Sequence, residues 1–194
     1  DFNDGNATFD FPNIGEAQEL VVLFPATTVK SEVELPMMLG AGVSYTFFDR
    51  LTAEADYLQI AWSSYDELEL SFDNPVGGET SQTTPRNYED TYSVRFGLEY
   101  QLNSSLALRG GYIMDKGAVP QEYIEPTLPE GDRNIYSVGI GYNFMFEDFL
   151  DMTIDAAYMY LDQEDLEVTD SVFRFNGTYK SLANMYALSI GWAF

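Results

Sequence analysis

The chain predicts an all-β fold, a transmembrane antiparallel β-barrel, and three observations carry that reading. Alternation of apolar with polar or small residues at period two recurs along almost the whole sequence, the mark of strands with one apolar face. Short turns alternate strictly with long connectors, as they do in membrane barrels. Aromatic residues, 14 Tyr and 14 Phe among 194 positions, gather toward strand ends, where amphipathic rings sit at lipid headgroups.

At the start, Ala7, Phe9 and Phe11 alternate only briefly after Gly5, and Pro12 stops the pattern. This opening reads as the outer end of a truncated strand. Residues 12–30 read as a loop with an apolar patch at Leu20 to Phe24. From Val33 to Phe47 the odd positions are apolar, and a tight turn follows at Phe48-Asp49-Arg50. Leu51 to Phe72 reads as one long strand. Leu51, Ala53, Ala55 and Tyr57 hold one phase, and Leu58, Ile60, Trp62, Leu68, Leu70 and Phe72 hold the other. That slip predicts a β-bulge or bend near Tyr57 and Leu58.

A long polar connector is expected from Asp73 to Asn87. Tyr88 to Leu102 alternates most cleanly, with Tyr92, Val94, Phe96, Leu98 and Tyr100 opposite Ser93, Arg95, Gly97, Glu99 and Gln101. After the turn Asn103-Ser104-Ser105, Leu106, Leu108, Tyr112 and Met114 oppose Ala107, Arg109, Gly111 and Asp115. Lys116 to Asp132 is a Pro-rich, acidic connector. Strands Asn134 to Met145 and Leu150 to Tyr160 flank a short turn around Glu147 and Asp148. An acidic stretch from Gln163 to Asp170 precedes the last strand, Leu182 to Phe194. The sum is a single barrel region over residues 1–194, with about seven full strands and a truncated first one.

Alternation alone does not say which face is inside. A soluble up-and-down barrel alternates too, with its apolar residues inward. Three features favour apolar residues facing lipid. Aromatics pair near strand ends, as in Tyr45 with Phe47, Tyr142 with Phe144 and Trp192 with Phe194. The polar face carries mid-strand charges, Arg95, Arg109 and Asp155. The turns alternate short and long.

Composition excludes several function classes. The chain has no Cys and no His, so thiolate chemistry, disulfides and the commonest zinc ligand and general base are missing. The acids Asp66-Glu67, Glu147-Asp148 and Glu164-Asp165 are adjacent pairs in loops or strand ends and read as solvated charge. No catalytic constellation, cofactor motif or metal site is legible, so an enzyme is not expected. The net charge of −23 argues against nucleic acid as a partner. Outer-membrane lipid and lipopolysaccharide are the expected surroundings. No secretion signal is legible at Asp1, so sequence ahead of it is expected to have been removed.

Several motifs resemble one family, the FadL-type outer-membrane transporters of long-chain fatty acids and aromatic hydrocarbons. They are Glu34-Leu35-Pro36 with Leu39-Gly40-Ala41-Gly42-Val43-Ser44-Tyr45, then Trp62-Ser63-Ser64-Tyr65-Asp66-Glu67-Leu68. Next come Arg109-Gly110-Gly111-Tyr112, Val119-Pro120 and Leu128-Pro129-Glu130-Gly131-Asp132-Arg133. Gly5 to Phe11 is similar to the family's fragment before a loop. The resemblance implies a bacterial outer-membrane barrel of about 14 strands, plugged by an N-terminal hatch, of which this chain is the C-terminal part. The N-terminal half of the same barrel is then a partner. The small inward residues, among them Gly97, Gly111, Gly139 and Gly141, leave more room than a closed small barrel fills.

The resemblance further implies passive uptake of a hydrophobic small molecule, such as a long-chain fatty acid. The competing expectation is a structural barrel that scaffolds other surface proteins. The candidate ligand-binding residues face the lumen. Arg95 and Arg109 could hold a carboxylate by charge-assisted hydrogen bonds, with Glu99 and Asp56 nearby. Alternatively each arginine pairs with a lumenal acid or with the plug.

Overall fold

In a computed structural model, which describes residues 2–9, 23–146 and 150–193, seven strands join in chain order into one antiparallel sheet. They are β3 (Met38–Phe47), β4 (Leu51–Ile60), β7 (Thr91–Gln101), β8 (Leu106–Asp115), β9 (Arg133–Phe146), β10 (Leu150–Gln163) and β13 (Leu182–Ala193). Every pair of neighbours is antiparallel and in unbroken register. These strands, with the loops at 89–90, 116–132 and 164–181, make one compact unit.

The tight turns have local causes. Arg50 donates its N–H to the Phe47 carbonyl at 3.1 Å, and Phe48 and Asp49 both take positive φ, 52° and 54°. That is the two-residue hairpin whose twist matches paired strands. At the next turn, the Asn103 side-chain carbonyl accepts the N–H groups of Ser105 and Leu106 at 2.9 and 3.0 Å, a side-chain mimic of a backbone turn. The turn expected around Glu147 and Asp148, and the terminal Phe194, lie outside the described residues.

One face of this sheet is apolar and uncovered. Val43 is 69% exposed, Leu188 71% and Tyr186 81%. Among the described residues the buried hydrophobic side chains are Ala107, Ala118, Ile124, Leu166 and Val168. A face of that extent belongs against lipid, not water. Aromatic rings bracket it at both ends. Tyr57–Tyr92, Tyr112–Tyr136 and Tyr158–Tyr186 lie 6.2, 5.2 and 5.2 Å apart toward the long connectors. Tyr45–Phe47 and Tyr142–Phe144 lie 4.7 and 5.7 Å apart toward the short turns. Asn184, a polar interruption of the last apolar face, has a reason: the Tyr158 hydroxyl donates to its Oδ1 at 2.6 Å.

A second compact unit spans 1–36 and 62–88. Its four-stranded sheet has the order β1 (Phe2–Ala7), β2 (Thr27–Ser31), β5 (Glu67–Val76) and β6 (Glu79–Pro85). Lys30 bridges β2 to Asp73 of β5 at 2.9 Å. The side-chain hydrogen bond and the charge of Lys30 hold the Asp73 carboxyl below the usual carboxylate value of 3.8.

The structure corrects five expectations. The long strand from Leu51 ends at Ile60, and a 3-10 turn at Trp62–Ser64 follows before β5 begins. No bulge occurs at Tyr57 and Leu58, since β4 pairs continuously from Leu51 to Ile60 with both neighbours. The connector from Asp73 holds a hairpin, β5 with β6, turning at Gly77 and Gly78. The opening strand pairs with β2 and is not a strand of the seven-stranded sheet. The expected strand start at Val33 is also too early. Residues 32–37 are irregular, and Pro36 has no N–H to give to a ladder.

Candidate functional site

Residues directly opposite in neighbouring strands share a face, so the register arranges the inner face of the seven-stranded sheet into rows. One row reads Thr46, Thr52, Glu99, Arg109, Gly139, Ala157 and Ala187 across β3, β4, β7, β8, β9, β10 and β13. Two residues further toward the long connectors, Ser44, Glu54, Gly97, Gly111, Ser137, Met159 and Met185 form the next. A third reads Gly42, Asp56, Arg95, Ile113, Ile135, Leu161 and Ala183. The first two rows line a cleft of about 460 Å³ that includes Glu54, Glu99, Arg109, Ser137, Asp155 and Met159.

The four lumenal candidates all lie on this face, but they are not one cluster. Arg109 is paired with two carboxylates. Its Nε donates to Glu99 Oε2 at 2.7 Å and its Nη1 to Asp155 Oδ1 at 2.6 Å. The guanidinium reaches β10 by passing over β9, and Gly141 makes that crossing possible. A Cβ there would lie 2.5 Å from Asp155 Oδ1 and 2.8 Å from Arg109 Nη1. Arg95 is different. Its Nε donates to Ser93 Oγ at 3.2 Å, and among the described residues no carboxylate forms an ion pair with it. Asp56, its opposite number on β4, turns the other way: a Cβ on Gly42 of β3 would collide with Asp56 Oδ1.

Sequence reasoning missed the apolar part of the inner face. Leu58, Ile60, Ile113, Ile135, Met159, Leu161 and Met185 have the parity of the polar set. The signal was present. The phase slip at Leu58 and Ile60 marks apolar side chains turned inward near the long-connector end of a regular strand, not an irregular backbone.

The outer connectors are ordered against each other. After the 3-10 turn Gln121–Tyr123, Ile124 is 1% exposed and packs with Leu166 and Val168. These belong to a small hairpin of β11 (Leu166–Val168) and β12 (Gly177–Tyr179). Val119 and Tyr179 close the cluster. Polar contacts tie the same segments. Gln163 Nε2 donates to the Pro129 carbonyl at 3.1 Å, and Val172 N–H to the Glu122 carbonyl at 2.9 Å. Arg133 pairs with Asp115 at 2.5 Å and with Glu130 at 3.6 Å, and Asp132 accepts the Gly117 N–H. The Trp62-to-Leu68 motif is also architectural. Its turn hydrogen-bonds Tyr65 N–H to the Trp62 carbonyl, and the Asp66 carbonyl accepts Arg86 and Asn87 N–H groups.

The profile of a family described as outer membrane protein transport protein (OMPP1/FadL/TodX) matches residues 3–194. A Neisseria meningitidis outer membrane protein is 30% identical over 139 residues, 69% of this chain and 29% of that protein. The long-chain fatty acid transport protein of Escherichia coli is 22% identical over 134 residues, again 69% of this chain and 29% of its own length. A FadL homologue of Pseudomonas aeruginosa, known from its crystal structure, shares the fold with a TM-score of 0.67 at 24% identity, over 86% of this chain and 36% of that one. The chain thus spans about a third of the length of these relatives. The profile covers almost every residue and the sheet has the family's fold, so the chain belongs to the FadL/TodX outer membrane protein transport family, proteins of the bacterial outer membrane.

Proposed function

We propose that this chain forms part of the wall and outer loops of an outer-membrane channel for passive uptake of hydrophobic small molecules, long-chain fatty acids among them. The observation that carries the reading is the inner apolar patch of Leu58, Ile60, Ile113, Ile135, Met159 and Leu161. A purely structural barrel needs apolar residues on its lipid face alone. A path for a water-insoluble ligand needs them inside as well, because burying apolar surface is what holds such a ligand. The rest of the barrel is the proposed partner. Among the described residues β3 and β13 pair on one side only, and a membrane sheet does not leave a strand edge in hydrocarbon.

The test is uptake of labelled oleate by bacteria that lack their own transporter and make the protein that contains this chain. Uptake is expected, and the double variant Ile113→Asn with Ile135→Asn is expected to reduce it severalfold at equal outer-membrane abundance. Correct membrane insertion with no uptake would point instead to a scaffolding barrel.

A further inference from the structure

The outer connectors carry an apolar tip that their own small core does not cover. Val172 and Phe175, on the turn between β11 and β12, are 49% and 50% exposed. The backbone of this tip is fixed. Val172 N–H donates to the Glu122 carbonyl at 2.9 Å, and Arg174 N–H to the Ser171 carbonyl at 3.0 Å. Ser171 N–H donates to Asn176 Oδ1 at 2.9 Å, and the Tyr179 hydroxyl to the Phe175 carbonyl at 2.6 Å. The Phe173 ring meets Tyr123 edge-on at 6.5 Å. Arg174 is held at a φ of 64°, a left-handed conformation that a residue with a side chain takes up only under constraint. Val172 and Phe175 are therefore presented in one arrangement, and covering them costs little ordering entropy.

The charge around the tip says what can cover it. Residues 116–132 and 164–181 hold eight acids against three bases, and Lys180 is already paired with Asp165. Glu122, Glu167 and Asp170 are exposed, and among the described residues no base forms an ion pair with them. Glu122 adjoins Val172 through the backbone bond just given, and Asp170 lies two residues before Val172. Arg174 is the base on the tip itself. Such a surface repels a second copy of itself and any phosphate-rich partner, and it attracts a cation that brings an apolar anchor.

We propose that this tip is a docking surface for a basic polypeptide segment, one that sets lysines or arginines beside apolar anchor residues. Val172 and Phe175 receive the anchors, and Glu122, Glu167 and Asp170 face the charges at the rim. The contact is small and of the transient kind. It lies outside the uptake reading and does not depend on it.

The experiment uses the purified whole protein in phosphatidylcholine nanodiscs, with empty nanodiscs as the blank. It reads the fluorescence polarisation of a labelled Lys/Leu amphipathic peptide. A Glu/Leu peptide of the same pattern and a Lys/Ser peptide without apolar residues are compared with it. The Lys/Leu peptide is expected to bind best, and to weaken severalfold as salt rises from about 50 to about 500 mM and the screening length shrinks. Val172→Ser with Phe175→Ser is expected to lower its affinity about tenfold and to keep the salt dependence. Glu122→Gln with Asp170→Asn is expected to lower it severalfold and to flatten the salt dependence. All four side chains are exposed, and an unchanged thermal unfolding profile checks that both variants fold. Equal binding of the Lys/Leu and Glu/Leu peptides makes the tip an indifferent apolar contact and overturns the proposal. Equal binding of the Lys/Leu and Lys/Ser peptides removes the anchors and overturns it too. Binding that neither double variant alters, or none above the empty nanodiscs, also overturns it.

Discussion

Arg109 and Arg95 share a face and a residue type, yet their neighbours give them opposite surroundings. The difference lies in two glycines on other strands. Gly141 opens the path by which Arg109 reaches Asp155, and Gly42 gives Asp56 a place to lie away from Arg95. Gly141→Val is therefore expected to break the Arg109–Asp155 pair and to lower stability by about 1–3 kcal/mol through overpacking. Thermal unfolding in detergent checks this. Replacing Arg109 by Met leaves Gly141 free and costs less, at most about 1 kcal/mol, since a half-exposed pair is screened by solvent. The identity of the inward charges was legible in the alternation. Their pairing was not, because it depends on which neighbouring position lacks a Cβ and on a contact between strands β8 and β10, which are not adjacent. Asp73 offers a pH test. Its carboxyl is held down by Lys30, so the pair's contribution is complete above the unfolded carboxylate range and is lost as pH falls through the lowered folded value. Lys30→Met should return the Asp73 titration to the usual range near 3.8, as followed by carboxyl carbon NMR.

The strands of the large sheet were legible as elements because period two is the direct imprint of a two-faced sheet. Their lengths were less so. A strand whose outer end turns apolar inward looks, in sequence, like one that has changed phase, and this misplaced both the bulge and the end of β4. The hairpin of β5 and β6 was hidden for the opposite reason. Its residues Asp73, Asn74, Glu79, Ser81 and Gln82 are polar and exposed, so they carry connector composition on strand geometry. At this scale the lipid face makes a firm prediction. Leu98→Arg in the middle of β7 is expected to destabilise the inserted barrel by about 2–4 kcal/mol, while Gly97→Ser beside it is near neutral. Urea titration in lipid vesicles separates the two. The outer connectors should respond as a pair. Ile124→Ala removes the most buried side chain of their shared cluster, a change that costs about 2–5 kcal/mol at a well-packed site. Hydrogen exchange should then rise in 116–132 and in 164–181 together, with β8 and β9 unchanged.

At the scale of the whole molecule, the wall is apolar on both of its faces in different places: everywhere between the aromatic belts outside, and in a patch toward the long connectors inside. The outer face is what any membrane barrel requires, whereas the inner patch is the feature on which the proposed uptake rests. Single cysteines test this directly, because this chain has no Cys of its own. The decisive measurement is the rate at which a membrane-impermeant thiol reagent labels Ile135→Cys and Val138→Cys in vesicles, with and without oleate. The account predicts that Ile135→Cys reacts from the lumen and is slowed severalfold by oleate, while Val138→Cys, facing lipid, stays unreactive throughout. Labelling of Val138→Cys with silence at Ile135→Cys would invert the faces, and equal rates at Ile135→Cys with and without oleate would take the ligand away from the inner patch.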